Sequence, residues 1–239
     1  MIFNMIIKEV HKESGTEIGI VCEKRLYCGE SKYQKIEVFS SKYYGNVLRL
    51  DDCFMMTEKN SDQYHQNCLK IIKKNRYQNI LIVGGGDFGI AKLITETIDF
   101  TSLNVVEIDK DVITVCRKFF PLNFKMSQKY KERINIVVDD GFDWLSNYKK
   151  NKFDLVILDC TDPDTQANTL YSEAFYKLVE KNMKKNALFI QQSGSPLLDY
   201  NNQIIKNLKK IGFMNIKTSQ FPMPIYPLGT WSFTHCKKT

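Results

Sequence analysis

Residues 80–90 read ILIVGGGDFGI, an apolar run that leads directly into a glycine-rich turn. Four consecutive Ile, Leu and Val residues are typical of a strand whose two faces are both covered. The glycines allow a tight turn and let a ligand come close to the backbone, and helical spacing of apolar residues follows over 90–98. The stretch therefore predicts the first strand, ligand loop and helix of a parallel sheet.

Strands and helices alternate from this stretch to the end of the chain. Strands are predicted at 103–107, 134–138, 155–158, 187–191, 216–219 and 231–234, and helices at 62–73, 112–120, 142–147, 172–183 and 204–211. This alternation predicts an α/β fold with a Rossmann-like, doubly wound and mostly parallel sheet. Upstream, residues 18–22, 35–39 and 47–50 predict a small N-terminal antiparallel β domain. The predicted domains are residues 1–58 and 59–239.

Composition argues against several classes of protein. No apolar run approaches the roughly 20 residues that cross a bilayer, and the first ten residues do not resemble a signal peptide. The seven cysteines are scattered without a CxxC pair, so we expect a cytoplasmic protein with reduced thiols and no metal site. The net charge of +7 lies in short lysine clusters without interleaved aromatics, so neither nucleic acid nor a membrane is expected as a partner.

Acidic residues are concentrated in one part of this basic chain. Residues 139–164 contain seven acids and three lysines, a net charge of −4 within a chain of net charge +7. A local acidic region in a basic protein favours a cationic ligand over an anionic one. The acids also follow predicted strands, and ligands of doubly wound sheets lie beyond the carboxyl ends of the strands.

The glycine loop after the first strand contains an acid of its own. Gly84, Gly86 and Gly89 satisfy the GxGxxG pattern, which fits dinucleotide-binding and S-adenosylmethionine-binding folds alike. Asp87 inside the loop would repel a pyrophosphate and attract a cation. The loop therefore disfavours a nicotinamide-dependent dehydrogenase.

Acids follow the next two strands as well. Glu107 lies roughly 20 residues beyond the glycines, where a carboxylate can bind both hydroxyls of a ribose, whereas Asp109 is better placed to cap the following helix. Asp140, in the DDGF sequence at 139–142, can accept a hydrogen bond from an exocyclic amine such as that of adenine. It can also cap the next helix, and the two roles are compatible.

Two carboxylates leave the predicted strand 155–158 together, in the DCTDP sequence at 159–163. Asp159 follows the apolar run directly and should be partly buried. A buried charge costs several kcal/mol unless it is paired, and an amine ligand would supply the pair. A surface turn with Asp-Pro at its end is the alternative.

In this order, the motifs at 84–89, 105–109, 140–141 and 159–163 resemble those of the polyamine aminopropyltransferase (spermidine synthase) family. Further segments are similar to family strings at 33–38, 44–48, 57–58 with 64–65, 170–176, 192 with 195–196, and 226–233. The resemblance covers about residues 18–237. Its specificity comes from the ordered set, since no single motif is decisive.

The resemblance implies a Rossmann-like transferase that moves the aminopropyl group of decarboxylated S-adenosylmethionine to an amine, most often putrescine. The products would be spermidine and methylthioadenosine. The donor is a co-substrate, so no cofactor is implied, and homodimers or homotetramers are expected. The implied donor-binding residues are Gln34, Gly84, Gly86, Asp87, Glu107, Ile108, Asp140, Gly141 and Gln166.

The resemblance also implies an amine pocket in which Asp159, aided by Tyr64, accepts a proton. The rings of Tyr64, Tyr226 and Trp231 could flank the aliphatic part of the amine, and core packing is the alternative for Trp231. The implied amine-binding residues are Tyr64, His65, Asp87, Asp159, Asp162, Gln192, Tyr226 and Trp231.

Two other functions stay open at this point. An S-adenosylmethionine-dependent methyltransferase would share the sheet and the loop, but Asp87 would repel the carboxylate of the intact donor. A non-catalytic homologue that binds polyamines or nucleosides would fit the altered loop at Gln166, but not the retention of Asp159 and Tyr64. Phe88 stands where the family usually has glycine, and we expect it to narrow the aminopropyl end of the site.

Overall fold

The computed structural model describes residues 5–74, 76–163, 165 and 167–239. The chain begins with a hairpin of β1 (Met5–His11) and β2 (Thr16–Cys22). An antiparallel sheet of β3 (Lys24–Glu30), β4 (Lys35–Ser41), β5 (Gly45–Leu50) and β6 (Cys53–Thr57) follows in that order. The predicted antiparallel region is confirmed, whereas β1, β3 and β6 were not predicted as strands.

The second part of the chain forms a seven-stranded sheet in the order β12-β13-β11-β10-β7-β8-β9. The five parallel strands are β7 (Arg76–Gly84), β8 (Asp99–Glu107), β9 (Ile134–Val138), β10 (Phe153–Asp159) and β11 (Met183–Gln192). At one edge, β13 (Thr230–Lys237) runs antiparallel to both of its neighbours, β11 and the edge strand β12 (Met214–Pro222). From β7, the chain adds β8 and β9 outward on one side and then β10 and β11 on the other, so the switch point of the sheet lies between β7 and β10.

The helices occupy the connections that the sequence predicted. They are α1 (Ser61–Ile71), α2 (Gly89–Thr97), α3 (Lys110–Phe119), α4 (Gly141–Asn147), α5 (Glu173–Asn182) and α6 (Tyr200–Ile211). Short 3-10 helices lie at Pro121–Phe124, Gln128–Arg133, Asn168–Tyr171 and Pro227–Gly229. Asp109 caps α3 by accepting the Asp111 N–H, as predicted, and Ser172 caps α5 by accepting the Phe175 N–H.

The apolar run on β7 explains how the sheet is held between two layers. Ile80 and Ile82 pack into one core cluster together with α2, while Leu81 and Val83 pack into a second cluster on the opposite face together with α5. All four side chains are at most 1% exposed, and burying each contributes about 1.5–3 kcal/mol. A strand with both faces covered needs this continuous apolar sequence, as predicted.

The connection between β6 and α1 contains the predicted domain boundary at 58/59. No helix in the described part of the chain combines the length and the apolar character that a bilayer crossing requires.

Candidate functional site

A cavity of about 210 Å³ opens beyond the carboxyl ends of β7, β8 and β10, at the switch point. Its other wall comes from β1, β5 and β6. It brings together every described residue that the sequence singled out for the donor and the amine; Gln166 lies outside the described residues. These lining residues are Gln34, Tyr64, His65, Gly84, Gly86, Asp87, Glu107, Ile108, Asp140, Gly141, Asp159, Asp162, Gln192, Tyr226 and Trp231.

The turn after β7 packs directly on the end of β10. The Gly85 N–H donates to the Asp159 carbonyl at 2.7 Å. Gly84 has a φ of +82°, and a Cβ there would collide with the same carbonyl, so only glycine fits. This contact brings the Asp87 loop and the Asp159 carboxylate to one side of the cavity.

Phe88 corrects one sequence-based expectation. It has a left-handed backbone (φ 63°), which explains why glycine is favoured there. Its side chain is fully buried and packs on Phe124 with ring centroids 4.7 Å apart, and it does not line the cavity. The expected narrowing of the aminopropyl end by Phe88 is therefore wrong, because the left-handed turn directs the ring into the core.

Asp87 forms a buried ion pair with His65. The Asp87 Oδ2 lies 2.8 Å from His65 Nε2, and its Oδ1 accepts the Gly89 N–H at 3.1 Å. Burial alone would lower the pKa of His65, but the facing carboxylate outweighs burial and raises that pKa. The same pairing outweighs burial at Asp87 and lowers its pKa. A Cβ at Gly89 would overlap the imidazole, so the glycine of the loop makes room for the pair.

Asp159 and Tyr64 are joined by a short hydrogen bond. The Tyr64 hydroxyl donates to Asp159 Oδ1 at 2.7 Å. Burial and the nearby Asp87 carboxylate raise the pKa of Asp159 to about 6, while the Tyr64 hydrogen bond opposes that rise. Burial and the Asp159 carboxylate raise the pKa of Tyr64 well above its usual range, so the phenol keeps its proton and remains a hydrogen-bond donor.

Gln192 holds the turn that follows β10. Its Nε2 lies within hydrogen-bond distance of Asp162 Oδ1 (3.0 Å), the Cys160 carbonyl (3.1 Å) and the Tyr171 hydroxyl (2.8 Å). Its Oε1 accepts the Gly194 N–H at 2.9 Å. The side chain of Gln192 therefore fixes the position of Asp162 as well as lining the cavity.

Residues proposed for the donor lie around the ends of β8 and β9. Glu107 is 8% exposed and accepts the Asp109 N–H at 2.9 Å, and burial raises its pKa to about 7. Gln34 donates to the Asp109 carboxylate at 2.9 Å, which ties the β3–β4 connection to α3. Asp140 accepts the N–H groups of Phe142 and Asp143, so its capping interpretation is confirmed.

The aromatic residues form one wall in which core packing and cavity lining coincide. The Tyr226 ring lies edge-on to the Trp231 ring, with their centroids 4.7 Å apart. The centroid of the Tyr226 ring also lies 6.2 Å from that of the Tyr64 ring. Tyr226 and Trp231 are 8% and 7% exposed, so Trp231 packs in the core and also lines the cavity. The Tyr226 hydroxyl donates a hydrogen bond to the Met55 carbonyl at 2.5 Å, which links the Tyr226 side chain to the backbone of β6.

One carboxylate in the cavity was missed from the sequence. Glu9 of β1 lines the cavity, and its Oε2 accepts the Phe54 N–H at 2.6 Å. Burial raises its pKa to about 7. The missed signal is the alternation in β1, where Ile7 and Glu9 share the buried face.

These buried acids make the stability of the ligand-free protein depend on pH. The pKa values of Glu9 and Glu107 are raised to about 7 and that of Asp159 to about 6. Each group binds its proton more tightly in the folded than in the unfolded chain. The stabilisation that each group gives to the folded state is complete below its unfolded pKa of about 4, and it is lost as the pH rises through 6 to 7. We expect the free energy of unfolding to fall by several kcal/mol from pH 5 to pH 8.

Two histidines modify this dependence in opposite senses. The raised pKa of His65 adds to the loss of stability with rising pH. The pKa of His235 is lowered by burial and then by Lys217 and Lys73, and this opposes that loss. Urea unfolding at pH 5, 6, 7 and 8 measures the trend, and the substitution Glu107→Gln should flatten it. Stability that is constant or rises over this range would contradict the expected titration.

Comparisons with known proteins show the family to which the chain belongs. Residues 64–239 match the family model described as spermine/spermidine synthase domain, and residues 5–58 match that of the spermidine synthase tetramerisation domain. The chain is 35% identical over 218 residues to the polyamine aminopropyltransferase of Methanocaldococcus jannaschii. This match covers 89% of this chain and 73% of the relative. It is 36% identical over 234 residues to that of Prochlorococcus marinus strain AS9601, covering 95% and 80%.

Solved structures give the same result for the fold. The spermidine synthase of Thermotoga maritima superposes with a TM-score of 0.86 at 26% identity, covering 98% of this chain and 80% of that one. A spermidine synthase in complex with the transition-state analogue AdoDATO gives a TM-score of 0.89 at 26% identity and the same coverage. The resemblance and the Rossmann-like fold inferred from the ordered motifs are therefore confirmed.

Proposed function

The chain belongs to the spermine/spermidine synthase family and is a polyamine aminopropyltransferase, and from that premise we propose that its acceptor is putrescine and that Asp159 accepts the proton. The observation that carries the proposal is the 2.7 Å hydrogen bond from Tyr64 to Asp159 inside the cavity. This hydrogen bond orients a partly buried carboxylate whose pKa of about 6 leaves it ionised at neutral pH and still basic.

The charge of the cavity supports two cationic substrates. Six carboxylic acids line it, and among the described lining residues there is no lysine or arginine; His65 is engaged by Asp87. This is the reverse of the chain as a whole, which carries a net charge of +7. Carboxylates offset the repulsion between a sulfonium donor and an ammonium acceptor. The six acids are Glu9, Asp87, Glu107, Asp140, Asp159 and Asp162.

The proposed chemistry needs one proton acceptor and a fixed alignment. An alkylamine has a pKa near 10 and attacks only as the neutral base, so Asp159 first takes one proton from the ammonium. The nitrogen lone pair then forms a C–N bond to the aminopropyl carbon next to sulfur. The C–S bond breaks with its electron pair left on sulfur, so methylthioadenosine leaves neutral and the product is a secondary ammonium. Tyr64 keeps the carboxylate oriented towards the nitrogen.

The proposed donor contacts follow the strand ends. Glu107 would accept hydrogen bonds from both ribose hydroxyls. Asp140 would accept a hydrogen bond from the adenine amine through Oδ2, since both of its capping hydrogen bonds are made by Oδ1. Asp87 lies in the loop where the charged tail of the donor would pass. The match of residues 5–58 to a tetramerisation domain supports a homo-oligomer, which we propose as a dimer or tetramer.

An amine panel tests the proposed acceptor. With decarboxylated S-adenosylmethionine as the donor, we expect putrescine to give a higher kcat/KM than agmatine, cadaverine or spermidine, scored by release of methylthioadenosine. Intact S-adenosylmethionine is the control donor and should not transfer a methyl group. A different best amine would overturn the assignment of putrescine. Methyl transfer from the intact donor would favour the hypothesis that the protein is a methyltransferase.

A further inference from the structure

A second cavity, an open groove of about 820 Å³, lies at the antiparallel end of the central sheet. One wall comes from β11, β12 and β13, and the other comes from the C-terminal half of α1 and the start of β7. No described residue lines both this groove and the catalytic cavity. We call it the lysine groove after five of its lining residues, Lys70, Lys73, Lys74, Lys217 and Lys237.

The positive charges of the lysine groove are not neutralised by the protein. None of the five lysines forms an ion pair with another described residue. Asp154 is the one acid among the described lining residues, and it is already engaged by Lys184 at 3.3 Å and by the N–H groups of Gln78 and Asn79. The groove therefore has the opposite charge to the catalytic cavity and suits an anion.

The pleat of the sheet gathers basic side chains on the face that forms the groove. Lys217 of β12 lies directly opposite His235 of β13, and Lys237 lies opposite Leu188 of β11. Residues two apart along a strand share a face, so His235 and Lys237 point the same way. Like charges directly opposite each other across two strands are destabilising. A lysine facing a histidine here does not help the fold, whereas an anion between them would be attracted by both.

His235 lies where the positive charges of the two walls meet. It is half-buried, and its Nε2 lies 3.1 Å from the Ser219 hydroxyl oxygen. Burial lowers the pKa of His235, and the charges of Lys217 and Lys73 lower it further. Lys217 belongs to the sheet, whereas Lys73 follows α1 on the facing wall. Lysines from both walls therefore act on one point inside the groove.

The form of the lysine groove indicates the class of anion. Ile71, Tyr77 and Phe221 form its buried part and are at most 8% exposed, whereas the five lysines are exposed around it. Lysine binds phosphate as a compact point charge. Five such charges on two walls exceed what a single carboxylate could neutralise. A chain of linked phosphates, which carries negative charge along its length, matches this arrangement better.

We propose that the lysine groove is a second ligand site, which binds an anion made of linked phosphates, either free or as the tail of a nucleotide. Lys217 and His235 on the sheet and Lys73 on the facing wall would hold its oxygens. Because the groove is separate from the catalytic cavity, the proposal goes beyond the transfer reaction and does not depend on it.

Calorimetric titration with sodium tripolyphosphate tests the site at an ionic strength of about 0.15 M, where loose attraction to scattered lysines is screened. Excess methylthioadenosine is present to fill the catalytic cavity. We expect saturable binding that Lys217→Gln weakens about tenfold, through the loss of one charged hydrogen bond. Lys149→Gln is the matched control, because Lys149 is exposed and lies outside the groove, and it should bind like the wild type.

His235 provides a second readout by NMR. It is the one histidine among the described lining residues of the groove, so tripolyphosphate should raise its pKa and leave the resonances of His11 unmoved. Tighter binding of ATP than of tripolyphosphate would assign a nucleotide as the source of the phosphates, and equal or weaker binding would assign free linked phosphates. No saturable binding, unchanged affinity in Lys217→Gln, or an unshifted His235 would overturn the proposal.

Discussion

Replacement of Asp159 by asparagine should lower kcat about 1,000-fold while the protein keeps its fold. A positioned general base contributes roughly 10²- to 10⁴-fold, and the amide cannot accept the proton of the ammonium. Tyr64 can still donate its 2.7 Å hydrogen bond to the amide oxygen, and the Asp159 carbonyl still accepts the Gly85 N–H. The geometry of the cavity should therefore survive the substitution.

Initial rates of methylthioadenosine release with putrescine measure this effect, and thermal unfolding reports the fold. Asp143→Asn is the matched control, because Asp143 is an exposed acid in the first turn of α4, outside the cavity. The control should retain wild-type kcat. A value of kcat for Asp159→Asn within about threefold of the wild type would show that another group accepts the proton.

The architecture of the central sheet was predictable because its signals are local. Residues 80–83 and 155–158 are continuous apolar runs, and a strand covered on both faces requires such a run wherever the helices pack. The same locality predicted the Asp109 cap and the position of the acids after the strands, since parallel strands end at one edge of the sheet. Strand ends and caps are set by a few neighbouring residues.

Features that depend on contacts between distant segments were not predictable in this way. Hairpin β1–β2 leaves Ile6 and Val21 exposed on its outer face, so its sequence shows no clear separation of apolar and polar faces, and Glu9 looked like a surface residue. The pair of His65 and Asp87 depends on how α1 packs against α2, although each residue was singled out separately. The direction of the Phe88 ring depends on a left-handed backbone that its identity disfavours.

Replacement of Glu107 by glutamine should weaken methylthioadenosine binding about 100-fold with little effect on kcat at saturation. A carboxylate can accept both hydroxyls of a ribose in charge-assisted hydrogen bonds worth about 1.5–3 kcal/mol each, whereas a glutamine side chain offers one oxygen. That remaining oxygen can keep the 2.9 Å hydrogen bond from the Asp109 N–H, so the end of β8 should stay in place. Glu96→Gln, an exposed acid on α2, is the matched control.

Titration calorimetry with methylthioadenosine and its 2′-deoxy analogue isolates the ribose contact. The wild type should bind the 2′-deoxy analogue more weakly than methylthioadenosine. Glu107→Gln should bind the two compounds with nearly equal affinity, because it has no carboxylate to accept a hydrogen bond from the 2′-hydroxyl. The pKa of about 7 adds a second signature: the carboxylate is mostly protonated at pH 6 and ionised at pH 8, so wild-type affinity should rise about tenfold over that interval. In Glu107→Gln the affinity should be independent of pH over the same interval, and a persistent tenfold rise would assign the titration to another acid of the cavity.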